Sequence, residues 1–168
     1  MTGTQSFLTI GAMAILALIS MRFNSTVLEN RTNEIENKVY LTAFSLADDL
    51  IEEIKQKAFD EQTVVFRTIT PEELTLPVNF APEVRDAGET DDISTWDDID
   101  DYNGYSKQVS TPHVENYTVS STVDYVSSGD QDEVSGVQTF YKRVNITVTS
   151  PYMRHEVNLS FVFTLHSK

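Results

Sequence analysis

The sequence predicts an α+β fold, in which a long N-terminal helix packs along its C-terminal half on a small antiparallel β-sheet. Three observations predict it. Residues 1–21 carry no ionisable side chain, and an apolar stripe at helical spacing continues well beyond them. No proline occurs before Pro71, and no glycine between Gly11 and Gly88. The C-terminal part of the chain alternates apolar and polar residues with a period of two, the mark of a half-buried strand.

The 168 residues suit one domain with an appendage, too few for two separate cores. We divide them into a helix over 1–60, with a hydrophobic membrane or filament-core segment at 1–22, and a head over 61–168. The sequence has no cysteine, so no disulfide framework, thiolate nucleophile or thiolate metal site is built from it. Acidic residues outnumber basic ones 26 to 12, for a net charge of −14. Such a surface repels phosphate backbones, so a nucleic-acid partner is not expected.

The helix begins with the apolar block at residues 7–21. As a helix, the uncharged stretch 1–21 spans ~31 Å at about 1.5 Å per residue, close to a hydrocarbon core of roughly 30 Å. A cleaved secretory signal lacks its basic start and its small-x-small site here. That leaves a plain membrane anchor, or a helix that lies in the membrane before assembly and in the core of a polymer afterwards. The continuation favours the second. Leu28, Ile35, Val39, Thr42, Leu46, Leu50, Ile54 and Ala58 recur at spacings of three, four or seven, with charges on the other faces. The stripe is narrow over 22–38, where Asn24, Ser25, Thr26, Asn30, Thr32 and Asn33 interrupt it. It broadens over 39–54 to take in Tyr40, Leu41, Ala43, Phe44, Ala47 and Ile51. The helix is expected from about residue 4 to about residue 60, roughly 85 Å. That is too long to be covered by so small a head, so it is expected to protrude.

Residues 63–112 lose periodicity, and Pro71, Pro77, Pro82, Pro112, Gly88 and Gly104 punctuate them. Residues 63–70 (TVVFRTIT) read as a short strand. Residues 86–101 are strongly acidic. In the run 96–105 (WDDIDDYNGY), Asp97, Asp98, Asp100 and Asp101 beside a glycine turn make a candidate weak calcium site, since hard oxygen ligands suit that ion. The EF-hand spacing fails, because Ile99 and Ser110 fall on ligand positions. The simpler reading is a solvated acidic loop pinned by Trp96, Tyr102 and Tyr105; the other is that these rings pin the loop against the sheet edge, with a cation or a neighbouring subunit's Lys or Arg offsetting its charge.

Three C-terminal segments alternate. Tyr117, Val119, Val123 and Tyr125 share a face in the first, and Phe140, Val144, Ile146 and Val148 in the second. Met153, Val157, Leu159, Phe161, Phe163 and Leu165 do so in the third. The intervening Ser, Thr, Asn, Lys and Arg are expected to face out. Residues 127–136 read as a hairpin loop and 150–152 as a tight turn, giving an antiparallel meander with one apolar face. The broad part of the helix stripe is the partner for that face. An enzyme is not expected. His113, His155 and His166 suit structural or surface roles, and the sequence holds no glycine-rich phosphate loop or metal-ligand spacing.

In this layout the chain resembles type IV pilins and pseudopilins. The apolar start, the unbroken amphipathic continuation and the terminal meander carry the resemblance, and residues 96–105 and 141–151 (YKRVNITVTSP) resemble stretches of pseudopilins and minor pilins. The resemblance implies a structural subunit of an extracellular filament and no enzymatic activity. It implies self-association into a helical polymer, the inner-membrane pilus assembly machinery as partner, and a single-pass membrane state before assembly. The polymerisation core it implies comprises Gln5, Phe7, Leu8, Ile10, Gly11, Met13, Ala14, Ile15, Leu16, Ala17, Leu18, Ile19 and Met21. The alternative is a minor pseudopilin of a secretion system, or a membrane-anchored surface domain that does not polymerise. Two departures stand out. Met1-Thr2-Gly3 occupies the place of the family's basic leader, leaving a prepilin peptidase little or nothing to remove, and the uncharged Gln5 stands near the family's early acidic residue. No cofactor is implied. Asn24, Asn30, Asn116, Asn145 and Asn158 lie in Asn-x-Ser/Thr sequons, candidate glycosylation sites.

Overall fold

A computed structural model describes residues 3–65, 70–81, 90, 92–112, 114 and 116–165. The chain forms two compact units, Met1–Val39 and Tyr40–Lys168. One helix, α1 (Gly3–Ile54, 52 residues), is continuous through both. Hydroxyl side chains along it bond back to the preceding turn. Thr9 donates to the Gln5 carbonyl at 2.6 Å, Ser25 to Met21 at 3.1 Å, Thr26 to Arg22 at 3.0 Å and Thr32 to Leu28 at 3.0 Å. Hydroxyls that would otherwise compete for helical amides are thereby occupied inside the helix.

In the second unit the helix meets a four-stranded antiparallel sheet, packing on its third and fourth strands. The strands are β1 (Ser106–Val109), β2 (Tyr117–Tyr125), β3 (Tyr141–Thr149) and β4 (Val157–Thr164), ordered as a meander. The registers place Val123 opposite Val144, Tyr125 opposite Lys142, and Val144 opposite Phe161. Ala43, Ala47, Leu50, Ile51 and Ile54 of α1 are buried, as are Tyr117, Val119, Val123 and Tyr125 of β2 and Val144, Ile146 and Val148 of β3. Each fully buried Val or Ile contributes about 1.5–3 kcal/mol. Small Ala43 and Ala47 let the helix backbone lie close to the sheet. Polar contacts fix its position. The Tyr40 hydroxyl accepts from the amides of Arg154 and His155 at 3.2 and 3.0 Å. The Tyr102 hydroxyl donates to Glu53 at 3.0 Å, and the Lys55 ammonium lies 4.4 Å from the Phe161 ring centre.

Several expectations need correction. The helix ends at Ile54, before residue 60, because Ala58 leaves the helical path and pairs with the acidic segment. The Ala58 amide donates to the Asp97 carbonyl at 2.9 Å, and the Ile99 amide to the Ala58 carbonyl at 3.1 Å. Leu41 and Phe44, placed in the broad stripe, are exposed, since they stand on the helix flank turned from Ala43 and Ala47. Residues Glu61–Val65 are a short helix, α2, so the expected strand is absent at 63–65, and 66–69 lie outside the described residues. The sheet gains β1, which lacks an apolar alternation and is recruited by pairing with β2. Gly104 turns the chain into it at φ 71°, a conformation that favours glycine. Met153 and His155 precede β4 in the 150–156 turn, and Phe140 and Leu165 flank their strands. Pro82, Gly88, His113 and His166 lie outside the described residues.

Candidate functional site

The first candidate is the apolar surface of α1. Phe7, Leu8, Ile10, Met13, Ile15, Leu16, Leu18, Ile19 and Met21 are all between 59% and 81% exposed. Gln5, Gly11, Ala14 and Ala17 share this exposed segment, and a Cβ added at Gly11 would meet nothing within 4 Å. So large an exposed apolar surface calls for lipid or protein cover. α1 is long and apolar enough to cross a membrane.

The second is a buried charge cluster in the head. Lys142 is fully buried, its ammonium donating to the Phe59 carbonyl at 2.7 Å, to Asp60 Oδ2 at 2.8 Å and to Asp100 Oδ1. Three acceptors match its three N–H groups. The rings of Phe59, Phe80 and Tyr125 surround it, with centres 4.7, 5.1 and 5.2 Å from Nζ, so cation–π attraction adds to the ion pairs. Asp60 also receives the Tyr125 hydroxyl at 3.1 Å, the Thr75 amide and hydroxyl at 3.1 Å and the Gln62 amide at 3.2 Å.

Asp98, Asp100 and Asp101 are buried and Asp97 is exposed. The segment is therefore no solvated loop: its backbone folds on its own carboxylates. Asp98 Oδ1 accepts from the amides of Asp100 and Asp101 at 2.7 and 3.3 Å, and Asp101 Oδ2 from those of Asp97 and Asp98 at 3.2 and 3.3 Å. The expected bracketing rings are present, Trp96 standing edge-on to Tyr102 at 5.0 Å and to Tyr105 at 5.8 Å. The cation that meets Asp60 and Asp100 is this chain's own Lys142. Among the described residues no group of three or more His, Asp or Glu is arranged to hold a metal ion. Burial pushes the Asp98 carboxyl up to about 7 against the pull of Lys142, and lifts Asp100 well above the carboxylate range. Burial likewise raises the phenols of Tyr102 and Tyr125.

Sequence reasoning turned Lys142 outward with the other polar residues of its strand. Strand parity carried the contrary signal: Lys142 shares its face with Val144, Ile146 and Val148. Of the sequons, Asn24, Asn30, Asn116 and Asn158 are exposed and Asn145 is half-buried within β3. The Asn158 amide nitrogen is engaged with Glu156 at 3.0 Å. Comparison with known proteins finds no matching family model, no matching curated protein and no matching solved structure.

Proposed function

We propose that the chain is a structural subunit of an extracellular, type IV pilin-like filament, held in the membrane by its N-terminal helix before assembly and polymerised through that helix afterwards. The observation that carries this reading is one unbroken helix, bare and apolar over residues 7–21, whose last turns pack beneath an antiparallel sheet. A plain anchor has no need of a helix that runs without a break from the apolar segment into the core of the head.

In the polymer, helices replace lipid as one another's neighbours. Lipid tails are as apolar as leucine, so the driving force is close packing, and small residues admit it. Gly11, Ala12, Ala14 and Ala17 supply them. The membrane-embedded assembly machinery of such filaments is the partner this reading requires.

The test is Ala14→Glu. A carboxylate in a dry helix interface costs several kcal/mol, so sheared cell-surface material from the variant should show no fibres under negative stain, with the β signal of the head intact in circular dichroism. Normal fibres from the variant overturn the proposal. Wild-type protein found only in the membrane, or only in short stubs, favours an anchored domain or a minor pseudopilin.

A further inference from the structure

We propose that the cleft between α2 and the run 71–79 is a binding site for a small neutral saccharide. The cleft has a volume of about 410 Å³, within the roughly 300–1,000 Å³ of small-molecule sites. Three stretches of the head build it: Gln62 of α2, the two 3-10 turns Pro71–Glu73 and Pro77–Asn79, and Gln138 shortly before β3. Its frame is fixed by bonds already made. The Thr75 amide and hydroxyl donate to Asp60 at 3.1 Å, the Gln138 carboxamide to the Leu74 carbonyl at 3.2 Å, and the Asn79 amide to the Leu76 carbonyl at 2.8 Å. Asp60 is in turn held by Lys142, so the buried charge cluster supports the cleft from behind. A frame of this kind spares a ligand the cost of ordering the walls.

What the frame leaves unused selects the ligand. No hydrogen bond among the described residues engages the side chains of Gln62, Glu72 and Asn79. Each carboxamide offers two N–H donors and a carbonyl acceptor, and Glu72 offers acceptors only. A sugar hydroxyl both donates and accepts, so neighbouring hydroxyls match a carboxamide at both of its ends. Leu76, 49% exposed, gives a wall for the C–H face of the ring. Other ligand classes fit less well. The described lining holds no lysine or arginine, and Glu72 together with a net charge of −14 repels an anion. An apolar ligand would strip water from the polar side chains without replacing its bonds. An ammonium would meet one carboxylate, exposed to solvent, where an ion pair contributes little.

The test uses the full chain in dodecylphosphocholine micelles, whose headgroup is not a sugar. Saturation-transfer NMR is recorded on glucose, galactose, mannose and N-acetylglucosamine at millimolar concentration. At least one of them should receive saturation from the protein, with a dose response that levels off. Gln62→Ala and Asn79→Ala should each weaken that binding several-fold and leave the melting temperature unchanged, because both side chains are exposed and make no bond among the described residues. Glu72→Gln, which removes the charge and keeps a carbonyl acceptor, should retain it. Asn158→Ala, at an exposed carboxamide on β4, should leave it untouched. No transfer to any of these sugars, transfer that survives in both Gln62→Ala and Asn79→Ala, or binding of glucosamine alone that is lost in Glu72→Gln overturns the proposal. The readout lies in the head and does not depend on fibre formation.

Discussion

Lys142 is fully buried in the head. A buried ammonium is tolerated here because all three of its N–H groups meet oxygens and three rings close around it. Removing it leaves Asp60 and Asp100 buried without their cation, and breaking one side of a buried pair costs about 3–5 kcal/mol. Lys142→Met, which preserves the length of the aliphatic stem, should therefore lower denaturant-measured stability by about that amount. Adding Asp100→Asn to Lys142→Met should restore part of the loss, because a carboxyl group that the ammonium had satisfied goes with it. A loss under ~1 kcal/mol for the single variant would show that the cluster is not held by its ion pairs. With the ammonium already in place, wild-type melting should be the same in calcium and in chelator. Between the unfolded and folded Asp98 values, from about 4 to about 7, rising pH removes the stability that this residue's proton confers.

At the scale of the element, α1 shows how one helix serves two environments. In its polar middle the hydroxyls of Ser25 and Thr26 bond to carbonyls of the preceding turn, and the helix runs through them unbroken. Its last four turns bury Ala43, Ala47, Leu50, Ile51 and Ile54 and leave Leu41 and Phe44 in solvent. Ala47 has no exposed surface, whereas Leu41 is 69% exposed. Ala47→Phe should accordingly cost about 1–3 kcal/mol through overpacking. Leu41→Gln, an exposed change between good helix formers, should stay within ~0.5 kcal/mol. Thermal unfolding of both variants checks the contrast, and equal costs would mean that the helix docks by another face.

For the whole molecule, the proposed polymer places a structural demand on that helix. No proline and no internal glycine other than Gly11 lies in its apolar segment, and the helix is continuous from Gly3. Converting it to extended chain in a fibre would expose amides and carbonyls in an interior without water to receive them. A density map of the filament should therefore show unbroken helix from Phe7 through Phe23. An extended stretch within those residues would count against this account.

The sequence by itself determined what local rules govern: the long helix, the apolar segment, the three alternating strands and their hairpin loop, and the aromatic bracket around the acidic run. Each follows from a period or a composition that needs no distant partner. The tertiary structure decided the rest. It stopped α1 at Ile54 because Ala58 pairs with a segment some forty residues further on. It recruited β1, whose residues carry no alternation, by offering the open edge of β2. It turned Lys142 inward and drew Asp60 and Asp100 to it, joining parts of the chain separated by 82 and 42 residues. Parity made Lys142's face legible, but its partners were not, because the cost of burying a charge is met only by groups that folding brings together.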